Sequence, residues 1–178
     1  MARAIIQDDR IFTNINGYTP HHMHVNQSTD IQRTIEYIRN GIDGDFNASA
    51  NFLNELDIIC HGLDYGLQLG SQFINHTNVN LFRPLAGRFG VINIHSCFAA
   101  KIYPNGCNGM LMCSRLAIIT GARVRASIAE QYFTNTNAAT ASSMAQPLLD
   151  WNGDVGTWNT HGILVNSQCY TDPRYRTF

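Results

Sequence analysis

Leu56-Asp57-Ile58-Ile59-Cys60-His61-Gly62 and Val91-Ile92-Asn93-Ile94-His95-Ser96-Cys97 are two short apolar runs that lead into a histidine and a cysteine. Their length favours buried β-strands over helices, and the β-branched residues of the second run suit the middle of a sheet. In open α/β sheets, functional groups gather beyond the carboxyl ends of the strands. We therefore expect His61 and Cys97 to meet at one edge of a sheet.

Apolar residues with helical spacing lie between the predicted strands. Ile31, Ile35 and Ile38 are three and four residues apart and follow the potential cap Ser28-Thr29-Asp30, which predicts a helix at about 30–41. The other expected elements are a strand over Ala4–Ile6, helices at about 78–88 and over Met110–Ile118, strands over Ala122–Ser127 and Gly162–Val165, and turns at Gly153 and Gly156.

Alternation of strands and helices implies βαβ crossovers, a mostly parallel sheet and helices on both of its faces. The chain has 178 residues, of which 44% are hydrophobic, and this suits one domain with its own core. No internal repeat or domain boundary interrupts it. We expect residues 1–178 to form a single α/β domain.

The charge balance excludes two classes of partner. A formal net charge of -1, with 14% charged residues, provides no basic field for nucleic acid or for an anionic membrane surface. No apolar run approaches the roughly 20 residues that cross a bilayer, and the N-terminus lacks a signal-peptide core. We expect a cytoplasmic protein, or one delivered from the cytoplasm without a classical signal peptide.

The cysteine pattern is typical of thiols in a reducing compartment. The chain has 5 cysteines, an odd number, and none has CxxC spacing. We assign Cys97 a chemical role, and we expect the others to be structural: Cys60, Cys107, Cys113 and Cys169.

His61 and Cys97 together predict nucleophilic catalysis at a carbonyl. A cysteine attacks as the thiolate, and an adjacent imidazole can take its proton and later protonate a leaving amine. Gly62 lacks a Cβ, so its backbone N–H can approach a developing oxyanion closely. This chemistry is acyl transfer, and its simplest form is amide hydrolysis. It needs neither a cofactor nor a metal.

The stretches 56–62, Gly66-Leu67-Gln68-Leu69-Gly70 and 92–100 resemble the caspase, gingipain and legumain group of cysteine peptidases. Residues 109–127 resemble more closely a bacterial caspase-like branch whose members are domains of large surface proteins. The resemblance covers about residues 55–128. It implies a caspase-like three-layer sandwich that cleaves protein or peptide substrates.

The same resemblance implies a role for each site residue. His61 is the general base, Cys97 is the nucleophile, and the amides of Gly62 and Cys97 are the oxyanion donors. Ser96 stands where the bacterial branch usually has Gly. The specificity residue stays open among several charged candidates: Asp64, Arg123, Arg125, Glu130, Asp150 and Asp154.

Other histidines admit alternative readings. His21, His22 and His24 form a His-His-x-His cluster, which we interpret as surface histidines of a polar loop rather than as metal ligands. His95 lies two residues before Cys97, so strand alternation predicts that both side chains lie on the same side of the strand. We expect His95 to be either a core residue or a partner of the site. His161 begins a strand-like run, and this resembles papain-like cell-wall amidases, in which a cysteine at a helix start precedes such a histidine. On that alternative, Cys97 pairs with His161.

A non-catalytic alternative uses the same fold as a binding or self-assembling structural module. Sparse charge and abundant Asn, Thr and aromatic residues suit packing between subunits, so a homo-oligomer is the assembly expected on this alternative.

Overall fold

The computed structural model describes residues 3–11, 21–44, 52–63, 66–101, 108–128, 151 and 153–170. These residues form ten strands, two α-helices and one 3-10 helix. In chain order they are β1 (Arg3–Asp8), β2 (His22–Val25), α1 (Ile31–Gly44), β3 (Leu53–Ile59), β4 (His61–Leu63), β5 (Gly66–Leu69), β6 (Gln72–Ile74), the 3-10 helix (Val79–Leu85), β7 (Phe89–His95), α2 (Gly109–Thr120), β8 (Arg123–Ser127), β9 (Gly153–Trp158) and β10 (Leu164–Tyr170).

The main sheet has seven strands in the order β10-β9-β8-β7-β3-β1-β2. Strands β2, β1, β3, β7 and β8 are parallel to one another, whereas β9 is antiparallel to β8 and to β10. The predicted α/β class with a mostly parallel sheet is therefore confirmed. Parallel neighbours require crossovers, and α1, the 3-10 helix and α2 are three of these connections.

The described helices cover one face of this sheet. Ile31, Ile35 and Ile38 of α1 are buried in the same core cluster as alternate residues of the central strands, such as Ile58 and Ile92. Helix α1 packs on the 3-10 helix, and the 3-10 helix packs on α2. The prediction of helices on both faces is met on one face only within the described part of the chain.

Both α-helices begin and end where polar residues and glycine favour it. The Asp30 carboxylate accepts a hydrogen bond from the Gln32 N–H at 2.9 Å, in agreement with the predicted cap before α1. Helix α2 begins after Asn108 and ends before Gly121, whose φ of 68° is the left-handed conformation that glycine adopts at low cost. The predicted helix over Met110–Ile118 is confirmed, and α2 extends beyond it at both ends.

Several local predictions were wrong. His22 and His24 lie in edge strand β2 rather than in a loop, because their backbone pairs with β1. Gly153 and Gly156 lie inside β9, where ladder bonds with β8 and β10 outweigh their turn preference.

The connection between β3 and β7 also differs from the expected single helix with loops. It contains a separate antiparallel sheet, β4-β5-β6, followed by a 3-10 helix in place of the helix predicted at about 78–88. Pro84 lies inside this helix, and its missing N–H is consistent with a short 3-10 turn rather than a long α-helix. None of the described helices has the length and apolar character needed to span a membrane.

Candidate active site

The carboxyl ends of β3 and β7 bring the two predicted site residues to one edge of the main sheet. The strands are parallel neighbours, with Ile59 opposite His95. Just beyond that pair, the Cys60 N–H donates a hydrogen bond to the His95 carbonyl at 3.3 Å. His61 and Cys97 therefore leave the sheet from adjacent points.

Gly62 packs directly on the backbone of Cys97. A Cβ built on Gly62 would lie 1.6 Å from the Cys97 carbonyl oxygen and 2.6 Å from the Ser96 hydroxyl oxygen. No side chain fits in that space, so glycine is required for this approach. Gly62 of β4 in the small sheet is thus in contact with the Cys97 backbone, which follows β7 of the main sheet.

Cys97 differs in its surroundings from the other two cysteines whose side chains are described. Cys97 is partly exposed and His61 is exposed, whereas Cys60 and Cys113 are fully buried. Burial raises the pKa of Cys60 to about 12 and raises that of Cys113 still further. Thiols with such pKa values are inert at neutral pH, so solvent access favours Cys97 as the reactive one.

A strained turn follows Cys97 and is anchored to the next strand. Phe98 has a φ of 52°, the only positive φ of a non-glycine residue in the described ranges. Such a conformation costs on the order of 1–3 kcal/mol and persists only where the surroundings impose it. Here the Lys101 N–H donates to the Phe98 carbonyl at 3.0 Å, and the Ala100 N–H donates to the Ser127 carbonyl at 2.9 Å. The end of β8 thereby fixes the loop that carries Cys97.

Comparison with other sequences assigns no family to this chain. No protein-family model and no curated protein matches the chain.

A buried polar network lies under the end of β7, on the face of the sheet away from the described helices. The Asp57 carboxylate lies 3.0 Å from His95 Nε2, and it also accepts a hydrogen bond from Asn93 at 3.1 Å and one from Arg3. The Trp151 ring stacks on the His95 ring, with centroids 4.4 Å apart. His95 is a core residue with a carboxylate partner, two positions before Cys97.

The electrostatics of this network follow from burial and pairing. Burial alone would raise the pKa of Asp57, but the hydrogen bonds from His95 and Arg3 outweigh it and lower that pKa. Burial lowers the pKa of His95, although the Asp57 carboxylate opposes this shift. Asp57 is thus ionised and His95 is neutral near neutral pH. The sequence patterns did not predict this network. Asp57 and Asn93 inside apolar strands could have indicated it, because buried polar groups need hydrogen-bond partners.

His161 lies at the opposite end of the main sheet from Cys97, so the structure does not bring the alternative Cys97–His161 pair together. His161 is in the turn between β9 and β10, and β9 runs antiparallel to β8 with Trp158 opposite Val124. That turn is therefore at the amino ends of the parallel strands. Gly162 beside it contacts α2, and its carbonyl accepts a hydrogen bond from Ser114 at 2.8 Å.

The histidine cluster on β2 makes pairwise contacts. His24 Nδ1 lies 2.9 Å from an Asp9 carboxylate oxygen, and His22 Nε2 lies 2.9 Å from the Gln7 amide oxygen. Within the described residues, no group of three or more His, Cys, Asp and Glu side chains could hold a metal ion.

Four of the residues named from the sequence lie outside the described residues: Asp64, Cys107, Glu130 and Asp150. The backbone of Cys169 belongs to β10. Arg125 lies with its guanidinium carbon 5.5 Å from the Trp151 ring centroid, beside the Asp57 network.

Proposed function

We propose that this protein is a thiol-dependent hydrolase of peptide bonds, with His61 as the general base and Cys97 as the nucleophile. The contact between Gly62 and the Cys97 backbone is the observation that carries the proposal. It holds an exposed imidazole and a partly exposed thiol at the same edge of the sheet. Protein or peptide chains are the proposed substrate class, because the resemblance to caspase-like peptidases implies it.

The proposed reaction has two halves. His61 takes the Cys97 proton, and the thiolate attacks the scissile carbonyl while the amides of Gly62 and Cys97 stabilise the oxyanion. The C–N bond then breaks as His61 protonates the leaving amine, which gives a thioester on Cys97. Water attacks the thioester with His61 again as base, and this releases the carboxylic acid and restores the thiol.

We further propose that the fold is caspase-like. Three features support this: the order of the parallel strands with β1 inside the sheet, the antiparallel strand after β8, and the small sheet inserted between β3 and β7. The second helical layer of a three-layer sandwich stays a prediction, because the described helices lie on one face. The site residues keep the roles that the resemblance implies.

The test compares wild type with Cys97→Ala on a peptide library. We expect sequence-specific cleavage that Cys97→Ala and His61→Ala abolish. His161→Ala is the matched histidine control, because His161 is also exposed but lies at the opposite end of the sheet. Cleavage that survives in Cys97→Ala would contradict the proposal.

Thiol chemistry provides a second measurement that needs no substrate. We expect iodoacetamide to modify Cys97 rapidly at neutral pH in wild type and slowly in His61→Ala, because the imidazole takes the thiol proton. If Cys97 is unreactive in wild type and the library stays intact, the domain is a non-catalytic binding or assembly module instead. A large homogeneous assembly in size-exclusion chromatography would then support that alternative.

A further inference from the structure

An ion pair at the end of β1 joins the main sheet to the small sheet. The Asp8 carboxylate is fully buried, and the Arg10 guanidinium binds it with two hydrogen bonds of 2.6 Å. The same carboxylate accepts the Gly70 N–H at 2.8 Å, although Gly70 lies 62 positions further along the chain. Asp8 therefore binds β1 to the turn that follows β5.

Arg10 makes a second connection to the same turn. Its guanidinium donates to the Gly70 carbonyl at 3.0 Å and lies 3.5 Å from the Gln68 carbonyl. Gln68 is the residue directly opposite His61 in the β4–β5 ladder. The ion pair thus binds the small sheet at the strand position that faces the candidate base.

The backbone around Gly70 leaves little room for another arrangement. Gly70 is buried with a φ of 56°, and a Cβ there would lie 2.7 Å from the Thr29 carbonyl oxygen and from the Ile31 side chain. Burial raises the pKa of Asp8, but its hydrogen bonds with Arg10 and Gly70 outweigh this and lower it. The carboxylate is thus ionised at neutral pH, and its charge is balanced by Arg10.

We propose that Asp8 and Arg10 are a positioning pair that holds the small sheet, and His61 with it, against the Cys97 edge of the main sheet. The part that concerns His61 rests on the proposed function. Neither residue touches the reacting atoms in this scheme. Their effect passes through Gln68 and Gly70 to strand β4, because β4 and β5 are hydrogen-bonded to each other.

The experiment uses Arg10→Met with Arg88→Met as its control. Arg88 matches Arg10 in its own exposure, which is 25% for both side chains, and it lies 2.7 Å from the Asp43 carboxylate; Asp43 is 32% exposed, whereas Asp8 is fully buried. Arg88 precedes β7 and is therefore at the other end of the sheet. Any effect of simply removing a half-buried paired arginine is common to both variants.

The first readout is amide hydrogen exchange in the intact chain. We expect residues 66–69 to exchange at least about tenfold faster in Arg10→Met than in Arg88→Met, with residues 91–94 unchanged, because the small sheet loses its anchor. Equal exchange of residues 66–69 in the two variants would overturn the proposal. If Arg10→Met does not fold, Arg10→Lys and Asp8→Asn replace it. We then expect residues 66–69 to exchange faster than in Arg88→Met, by a smaller factor.

The second readout is the pH profile of Cys97 alkylation. We expect Arg10→Met to lower the neutral-pH rate by about ten- to hundredfold and to shift the profile toward that of His61→Ala, as a misplaced base would. Arg10→Lys should restore part of the rate. A wild-type profile in Arg10→Met would overturn the link to His61. If His61→Ala itself leaves the profile unchanged, the proposed dyad fails, and the positioning pair is then decided by exchange alone.

Discussion

The most direct consequence of the site geometry concerns Gly62→Ala. The added Cβ would lie 1.6 Å from the Cys97 carbonyl oxygen, and ordinary contact begins at 3.4 Å, so β4 and the Cys97 loop must separate by about 1.8 Å. Overpacking of this kind costs about 1–3 kcal/mol of unfolding free energy. A displacement of about 1 Å between catalytic groups can reduce the rate a hundredfold, so we expect at least that loss in Cys97 alkylation and in peptide cleavage.

The assay follows Cys97 modification at neutral pH by mass spectrometry, together with thermal unfolding of the same samples. Gly90→Ala is the control, because Gly90 is the second residue of β7, at the end of that strand away from Cys97, and its Cβ would approach nothing closer than 3.2 Å. We expect Gly90→Ala to keep wild-type reactivity. If Gly62→Ala is as stable and as reactive as Gly90→Ala, the contact between Gly62 and Cys97 does not organise the site.

Three further predictions test the buried groups. Asp57→Ala should lower the unfolding free energy in urea by about 3 kcal/mol, because Arg3 and the buried His95 lose their shared carboxylate, whereas Glu55→Ala should change it by less than about 1 kcal/mol. The pKa of His95 is lowered in the folded state, so the unfolded chain binds more protons than the folded chain as the pH falls below 6.5. The unfolding free energy should therefore decrease by up to about 1.4 kcal/mol per pH unit more in wild type than in His95→Gln. Equal slopes in the two proteins would contradict this prediction. Iodoacetamide should leave Cys60 unmodified in the native protein and label it after unfolding, because its thiol is buried with a pKa of about 12; rapid native labelling of Cys60 would argue against the structure.

Sequence periodicity predicted the central strands and both α-helices because these elements have strong local signals. Ile31, Ile35 and Ile38 give α1 one apolar stripe, and the β-branched run of β7 is buried on both faces. Strand β2 was not predicted, because it forms through tertiary pairing with β1 rather than through a local sequence signal. Its polar sequence His22-Met23-His24-Val25 pairs with β1 along one edge, and edge strands tolerate polar residues.

Sequence patterns predicted one part of the candidate site and not the other. Its two chemical residues follow the ends of apolar strands, so local pattern and the rule for parallel sheets are enough to bring His61 and Cys97 together. The Asp8–Arg10 pair could not be predicted, because its partners in the turn after β5 are distant in sequence. A short run of charged residues after an apolar strand has the same appearance in any solvated loop.

The position of β1 inside the main sheet affects how the molecule folds. β1 lies between β2 and β3, and its pairing with β3 joins Ile5 to Asp57, so a long stretch of chain closes before that ladder forms. Folds dominated by such distant pairings fold slowly, because chain entropy is lost before the contacts compensate for it. Local helices such as α1 can form early, whereas the edge with His61 and Cys97 needs β1, β3 and β7 already aligned. During refolding, helical circular dichroism should therefore recover before Cys97 acquires its native reactivity.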